Sequence, residues 1–476
     1  MSSNDQMSEF QCTPRRSSPL LVHAICGVMA LAGSMGTLAQ SDDNQQETEE
    51  LASLMQRHDG VGRTLEDFFV ASMEFSPRLE IAEEQMNIGT ARREAANGQL
   101  FPQVSASASI SDNRQERTGG APVDYRGERY AVQLRQVLFD WRVFARRGQA
   151  YAVENQYEAL YYAELAAHLS DVAERYFDVL QAQDALESSR AELEAVNNQL
   201  AQIERMHDLQ MVQVTDLYQA QAQASAVAAE QVYLSSELEL AKEALRSATG
   251  LAVGELYTLQ DSTELPQIDG SLEEWVSRAR ANSHQIQARQ YAVEAADERV
   301  SERRGNYMPQ VSLVLQQQRS DLGFDNTPMA RTDTGYVGLD VSIPLFAGGS
   351  NRAAVREAIS QQNIARNELR QMHLDVSEQT RFAFLRLQAA ERQIRAAEAL
   401  LESRELSARA RRRGFELGTV TTVDVLESVR DQFVAERDLQ QIRYDYIRLL
   451  LNLQRDAGTL SPDDLIDISS RLQPGE

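Results

Sequence analysis

The chain has 476 residues, is 42% hydrophobic without long apolar blocks, and carries a formal net charge of -24 with a pI near 4.8. Such a surplus of acid excludes a nucleic-acid partner, which needs a basic face to neutralise phosphates. Lys242 is the only lysine, so a phosphate-binding loop is excluded and Schiff-base chemistry is left with a single candidate.

Arg15 and Arg16 stand ahead of an apolar run from Leu20 to Leu38, and Thr37-Leu38-Ala39 has the spacing that precedes signal-peptidase cleavage, here before Gln40. Residues 1–39 are read as a secretory signal peptide. A transmembrane anchor competes, but Gly27, Gly33, Ser34 and Gly36 interrupt a run close to the ~20-residue spanning length. Cys12 and Cys26 both fall in this presequence, so the mature chain has no disulfide. Ile25 stands where a lipid-acceptor cysteine wants a small neighbour. No later segment has the apolar length of a spanning helix, and any membrane insertion must use strands.

Thr64-Leu65-Glu66-Asp67 opens a helix running towards Pro102. There the period changes to two: Val104, Ala106, Ala108 and Ile110 alternate with Gln103, Ser105, Ser107 and Ser109, and Val132 and Leu134 with Gln133 and Arg135. Strands are expected over about 102–112 and 129–139, joined by a long surface loop holding Gly119, Gly120 and Pro122. From Gly148 to Gly250 there is no proline and no internal glycine. That stretch accommodates a helix of about sixty residues before a turn, roughly 90 Å long. Leu165, Val172, Val179, Leu186, Leu193 and Leu200 recur at sevens, as coiled-coil packing requires.

The same series then starts again. Met308-Pro309-Gln310-Val311-Ser312 repeats Phe101-Pro102-Gln103-Val104-Ser105 at an offset of 207, which also carries Leu138-Phe139 onto Leu345-Phe346 and Leu65 onto Leu272. Past the long helices the offset is 208, as Asp216 matches Asp424 and Gly250 matches Gly458. Ser271-Leu272-Glu273-Glu274 is the second capping box, and strands are expected over about 309–319 and 335–345, with Gly323 and Pro328 in their connection. Another long helix follows, with Leu387, Ala390, Ile394, Ala397 and Leu401 at threes and fours. Residues 40–270 and 271–458 are read as two repeats, and 459–476 as a C-terminal tail.

Each expected strand has one apolar and one largely polar face, which suits either a bilayer-spanning segment or a half-buried sheet in a soluble domain. Strand number separates these readings. Four strands cannot close a pore and open edges cannot face lipid, so spanning strands must be pooled as eight, twelve or sixteen from two, three or four chains.

The paired Pro-Gln-Val-Ser strand starts, the run Ile343-Pro344-Leu345-Phe346-Ala347-Gly348-Gly349, and Phe415-Glu416-Leu417-Gly418-Thr419 leading to Val423-Asp424-Val425-Leu426-Glu427 together resemble the TolC family of outer-membrane efflux and secretion channels. The resemblance covers nearly the whole mature chain. It implies an α+β membrane protein in which three chains share a twelve-stranded β-barrel above a periplasmic tunnel of long antiparallel coiled-coil helices. It also implies a passive exit duct in the outer membrane of a Gram-negative bacterium, coupled through a periplasmic adaptor to an inner-membrane pump of an efflux or type I secretion system. A soluble periplasmic coiled-coil adaptor or scaffold is the alternative.

In that family acidic residues ring the closed periplasmic aperture, and Asp424 and Glu427 occupy the matching positions, with Asp216 as the first-copy counterpart. Solvated helix acids are the plain alternative. The family's adaptor-docking turns fall on Leu417, Gly418 and Thr419, and on Leu209, Gln210 and Met211, where glutamine replaces glycine and puts docking in doubt. The family often has an arginine four residues before the Asp and a tyrosine nine before it. Val420 and Phe415 stand there instead, so a differently latched, looser aperture is expected. Arg409, Arg411, Arg412 and Arg413 are read as a solvated or intersubunit-paired face. The six histidines are scattered without metal spacing, no Gly-x-Ser-x-Gly elbow occurs, and neither enzyme activity nor a cofactor is expected.

Overall fold

The computed structural model describes residues 60–116, 118–259, 265–322 and 328–474. The presequence reading, with Cys12 and Cys26, lies outside the described residues, as does Gly323.

The first copy consists of α1 (Leu65–Phe75), α2 (Pro77–Gly98), β2 (Gln103–Gln115), β3 (Val123–Phe139), α3 (Trp141–Asp208) and α4 (Val214–Thr249). The second consists of α5 (Leu272–Asn282), α6 (His284–Gly305), β6 (Gln310–Leu322), β7 (Pro328–Ser342), α7 (Ser350–Glu416) and α8 (Thr422–Asp456). Short β1 (Val61–Gly62) pairs in parallel with β4 (Ala252–Val253), and β5 (Tyr257–Thr258) pairs antiparallel with β8 (Gln473–Pro474), which follows α9 (Pro462–Ser470).

Two helices, not one, precede each strand pair. Pro77 takes the first position of α2 and holds Ser76 extended, at φ -80° and ψ 109°, so α1 stops there. The matching break at Ser283 has no proline. A tertiary contact sits against it instead: Gly458, at φ 65°, lies so close that a Cβ there would come within 2.5 Å of the Asn282 carbonyl oxygen. Residues 459–476 are likewise more than a tail. Ser461 and Asp464 cap α9 reciprocally, and Leu465, Ile468 and Leu472 are buried in the core.

β2, β3, β6 and β7 form one antiparallel sheet in that order. The ribbons reach further into their connections than the apolar alternation indicates, because charged cross-strand pairs such as Arg319–Asp333, at 2.7 Å, continue the ladder. At its other end β7 stops at Ser342, before Pro344, which has no amide hydrogen to donate. Register aligns Val104, Leu134, Leu315 and Val337 as one apolar rung across all four strands. Its members on the edge strands, Val104 and Val337, are exposed.

α3 and α7 have 68 and 67 residues, about 100 Å each. Each folds back on its partner, α4 or α8. No helix among the described residues is long and apolar enough to cross a membrane. Leu65, Phe68, Tyr176, Phe177, Leu245 and Tyr444 form the main core, where α1, α3, α4 and α8 meet. From there a polar ladder joins α3 to α8: Asn452 with Ser170 at 3.1 Å, Arg448 with Asp178 at 2.7 Å, Tyr444 with Asp184 at 2.6 Å and Arg437 with Glu192 at 2.9 Å. Burial keeps the Tyr444 phenol protonated, so it donates to the Asp184 carboxylate.

Candidate functional site

The ladder ends in an apolar cluster at the far tips of the two helical hairpins, where every residue singled out for aperture or docking lies. Val196 and Ile203 of α3 and Ala220 and Val227 of α4 cluster with Val425, Leu426 and Val429 of α8. Phe415, at the end of α7, is only 7% exposed and belongs to this cluster, with Val420 packed on it. Gly414 makes the fold-back possible, since a Cβ there would meet Val420 Cγ2 at 2.5 Å. Where the family often has a polar latch, this chain buries hydrocarbon. The signal for it was Gly414, a helix-interior glycine six residues before Val420.

Both hairpin turns close in the same way. In the second copy the Thr419 amide donates to the Gly414 carbonyl and the Gly418 amide to that of Phe415, each at 2.9 Å. In the first, Met211 donates to Met206 and Gln210 to His207, each at 2.8 Å. This is the Schellman arrangement, which needs a left-handed residue after the cap. Gly418 supplies it at φ 71°, and Gln210 at φ 60° is the only non-glycine residue with positive φ among the described residues. Glutamine thus strains the first turn without changing its hydrogen bonding. The apices present bare hydrocarbon: Leu209 is 70% and Leu417 68% exposed, and Met211 is comparably open.

Asp424 and Asp216 each occupy the third position of the helix that follows a turn. The Asp424 carboxylate accepts from the Thr421 amide at 3.2 Å and hydroxyl at 2.6 Å, and the Asp216 carboxylate from the Gln213 amide at 3.3 Å. These are capping boxes, so both acids start helices whatever else they do. The Thr421 bonds, with Arg411 nearby, hold the Asp424 carboxyl below the usual carboxylate range. Arg411 Nη1 lies 4.0 Å from an Asp424 carboxylate oxygen and donates to its carbonyl at 3.1 Å. Glu427 is exposed one turn further along α8. Arg413 pairs with Glu416 at 2.5 Å and Arg409 with Glu405 at 3.6 Å, which makes the arginine group largely a locally paired face.

No group of three or more His, Cys, Asp or Glu side chains suited to a metal ion occurs among the described residues. His168 is buried in the main core, with Nε2 donating to the Ser72 hydroxyl at 2.9 Å while that hydroxyl donates to the Phe69 carbonyl. Burial holds its pKa below the ordinary histidine value, and its role is packing.

The family described as outer membrane efflux protein matches residues 72–251 and 275–459, one segment per copy. The outer membrane protein TolC of Vibrio cholerae is 26% identical over 413 residues, covering 86% of this chain and 94% of that protein. The alkaline protease secretion protein AprF of Pseudomonas aeruginosa is 25% identical, covering 89% and 90%. Among solved structures, that of CusC, described in terms of folding and transmembrane channel formation, superposes with a TM-score of 0.73 at 19% identity over 83% of this chain and 92% of that one.

Proposed function

The chain belongs to the outer membrane efflux protein family, and from that premise we propose that three copies form a passive exit duct through the outer membrane of a Gram-negative bacterium. It is a channel of efflux or of type I secretion; efflux and secretion are the activities that the names of its relatives carry. The observation that supports this reading best is the four-stranded sheet with two free edges and an exposed apolar face. Lipid tolerates the face and not the edges, so β2 of one chain must pair with β7 of the next. Three copies then supply twelve strands.

From Ile343, just past the end of β7, to the charged rung at Asp333 the apolar face runs ten residues. That is about 33 Å along the strand and about 25 Å once tilted, the height of a bilayer-facing band. Tyr130 stands at one end of the band and Phe139 at the other, as interfacial aromatics do. Gln136, inside the band, is hydrogen-bonded to the Leu100 and Val137 carbonyls at 2.6 and 2.9 Å.

The helical hairpins extend from the sheet as the periplasmic tunnel. Leu417, Gly418 and Thr419, with Leu209, Gln210 and Met211, present the apolar apices on which an adaptor docks, and an inner-membrane pump supplies the energy. Asp424 and Glu427, repeated threefold with Asp216 nearby, make an acidic ring at the aperture that favours cations and binds divalent ions without catalysis.

Membrane fractionation followed by sizing in detergent tests the duct: the expected species is a heat-modifiable outer-membrane trimer, and a protein extracted without detergent overturns it. The ring is tested separately in planar bilayers. Asp424→Asn with Glu427→Gln keeps an acceptor for the Thr421 amide and is expected to abolish divalent-cation block. Persistent block in a conducting double variant removes the ring assignment.

A further inference from the structure

Charge divides unevenly between the two faces of the sheet. Arg114, Arg126, Arg319 and Arg331 share the apolar face with Asp124, Glu128 and Asp333, all at or beyond the Tyr130 rung. There they pair: Arg319 with Asp333 at 2.7 Å, Arg126 with Glu128 at 3.8 Å, Arg331 with Glu128 at 3.9 Å and Arg114 with Asp124 at 3.9 Å. The polar face holds only Arg129, Arg135 and Asp340 along its strands. Register places Arg129 between Ser109 and Ser320, and Arg135 between Gln103 and Val314. Asp340 is on β7, two strands from β3 and one rung below Arg135, opposite Ser312.

Both arginines are exposed, and neither makes an ion pair among the described residues. Their neighbours on this face, Ser107, Gln133, Gln316, Gln318 and Thr334, are neutral hydrogen-bonding groups. In a chain of formal charge -24, this is a wall on which positive charge exceeds negative. The guanidinium fork presents five donors with no internal acceptor, so its counterion has to come from solution.

We propose that Arg129 and Arg135 form an anion-selecting site on the wall of the barrel, which accumulates carboxylate- and phosphate-bearing solutes in the outer part of the conduit. The proposal rests on the reading of the polar face as the lumen wall. Threefold repetition makes two belts of three arginines, six residues apart on β3, about 20 Å along the strand. The Debye length is about 8 Å at physiological salt, so each belt acts on ions passing close to it and is not cancelled by the acidic aperture at the far end of helices about 100 Å long. The two ends of the duct therefore select oppositely, cations at the aperture and anions in the barrel.

The test uses the full-length protein in planar bilayers under a potassium chloride gradient, with inositol hexakisphosphate added to the barrel side as the polyanion probe. Wild type is expected to be blocked by the probe from that side. Arg129→Gln with Arg135→Gln is expected to relieve the block and to lower the chloride-to-potassium permeability ratio by about two-fold or more. Asp340→Asn is expected to move the ratio the other way. Open channels of unchanged selectivity and block in the arginine variant overturn the site. If wild type forms no channels at all, the duct reading itself fails, and the two failures are distinguishable. Recovery of conductance in the arginine variant shows that it has folded and assembled.

Discussion

Gln210 occupies a backbone conformation that costs an L-residue roughly 1–2 kcal/mol and glycine nothing. Its hydrogen bonds match those of the glycine turn in the second copy, so the strain is uncompensated at the turn itself. Gln210→Gly is therefore expected to stabilise the first tip by about 1 kcal/mol, seen as roughly five-fold slower amide exchange over residues 205–217. Exchange equal to wild type would show that the side chain is held by something else at the apex. The substitution tests a point that the sequence left open. A glutamine in a glycine position puts docking at that turn in doubt, because sequence registers the missing residue and not the few contacts able to force the conformation. Asp424 shows the converse: its place in a family motif was legible, and so was Thr421 three residues before it, yet only geometry reveals that the acid caps its own helix. Its depressed pKa means that this cap operates at and above the ordinary carboxylate range and is lost as pH falls through the lower folded-state value.

At the scale of elements, the coiled coils are joined in two chemically different ways. Between the main core and the tips α3 and α8 are tied by ion pairs and hydrogen bonds, among them the nearly buried Glu192 with Arg437. At the tips they are joined by hydrocarbon, with Phe415 at its margin. An apolar latch has no directional bond to satisfy and little salt dependence, so it yields when the packing loosens rather than when a charge is screened. Phe415→Ala is expected to remove about 3 kcal/mol of tip packing and to raise single-channel conductance, while the ladder keeps α3 and α8 of each chain joined. Unchanged conductance would mean that the tip cluster does not limit the aperture. The long helices themselves were legible, since uninterrupted stretches with heptad spacing admit few other folds. The breaks at Ser76 and Ser283 were less so. Pro77 announces the first, but the second is set against a glycine about 175 residues away in sequence, and no local pattern records that.

For the molecule as a whole, duplication sets the central problem. Each copy brings one hairpin, the hairpins join as β3 to β6 within the chain, and β2 and β7 remain as edges. The alternation that revealed the strands could not reveal their lengths, because beyond Tyr130 the ladder continues in charged residues. Nor can one chain fix how many copies close the ring, since eight, twelve and sixteen strands all satisfy edge pairing. Cysteine placement decides it. With Cys12 and Cys26 both in the expected presequence, a cysteine at Ser107 on β2, combined in turn with cysteines from Thr332 to Val337 on β7, is expected to form disulfides between chains for at least one pair. Non-reducing gels should then show a ladder ending at the trimer. Gln133→Cys with Gln316→Cys joins register partners within one chain and should produce no ladder. A series that ends at a dimer or a tetramer would replace the twelve-stranded ring. Absence of any ladder, with the internal pair formed, would mean that the edges are covered by something other than another copy.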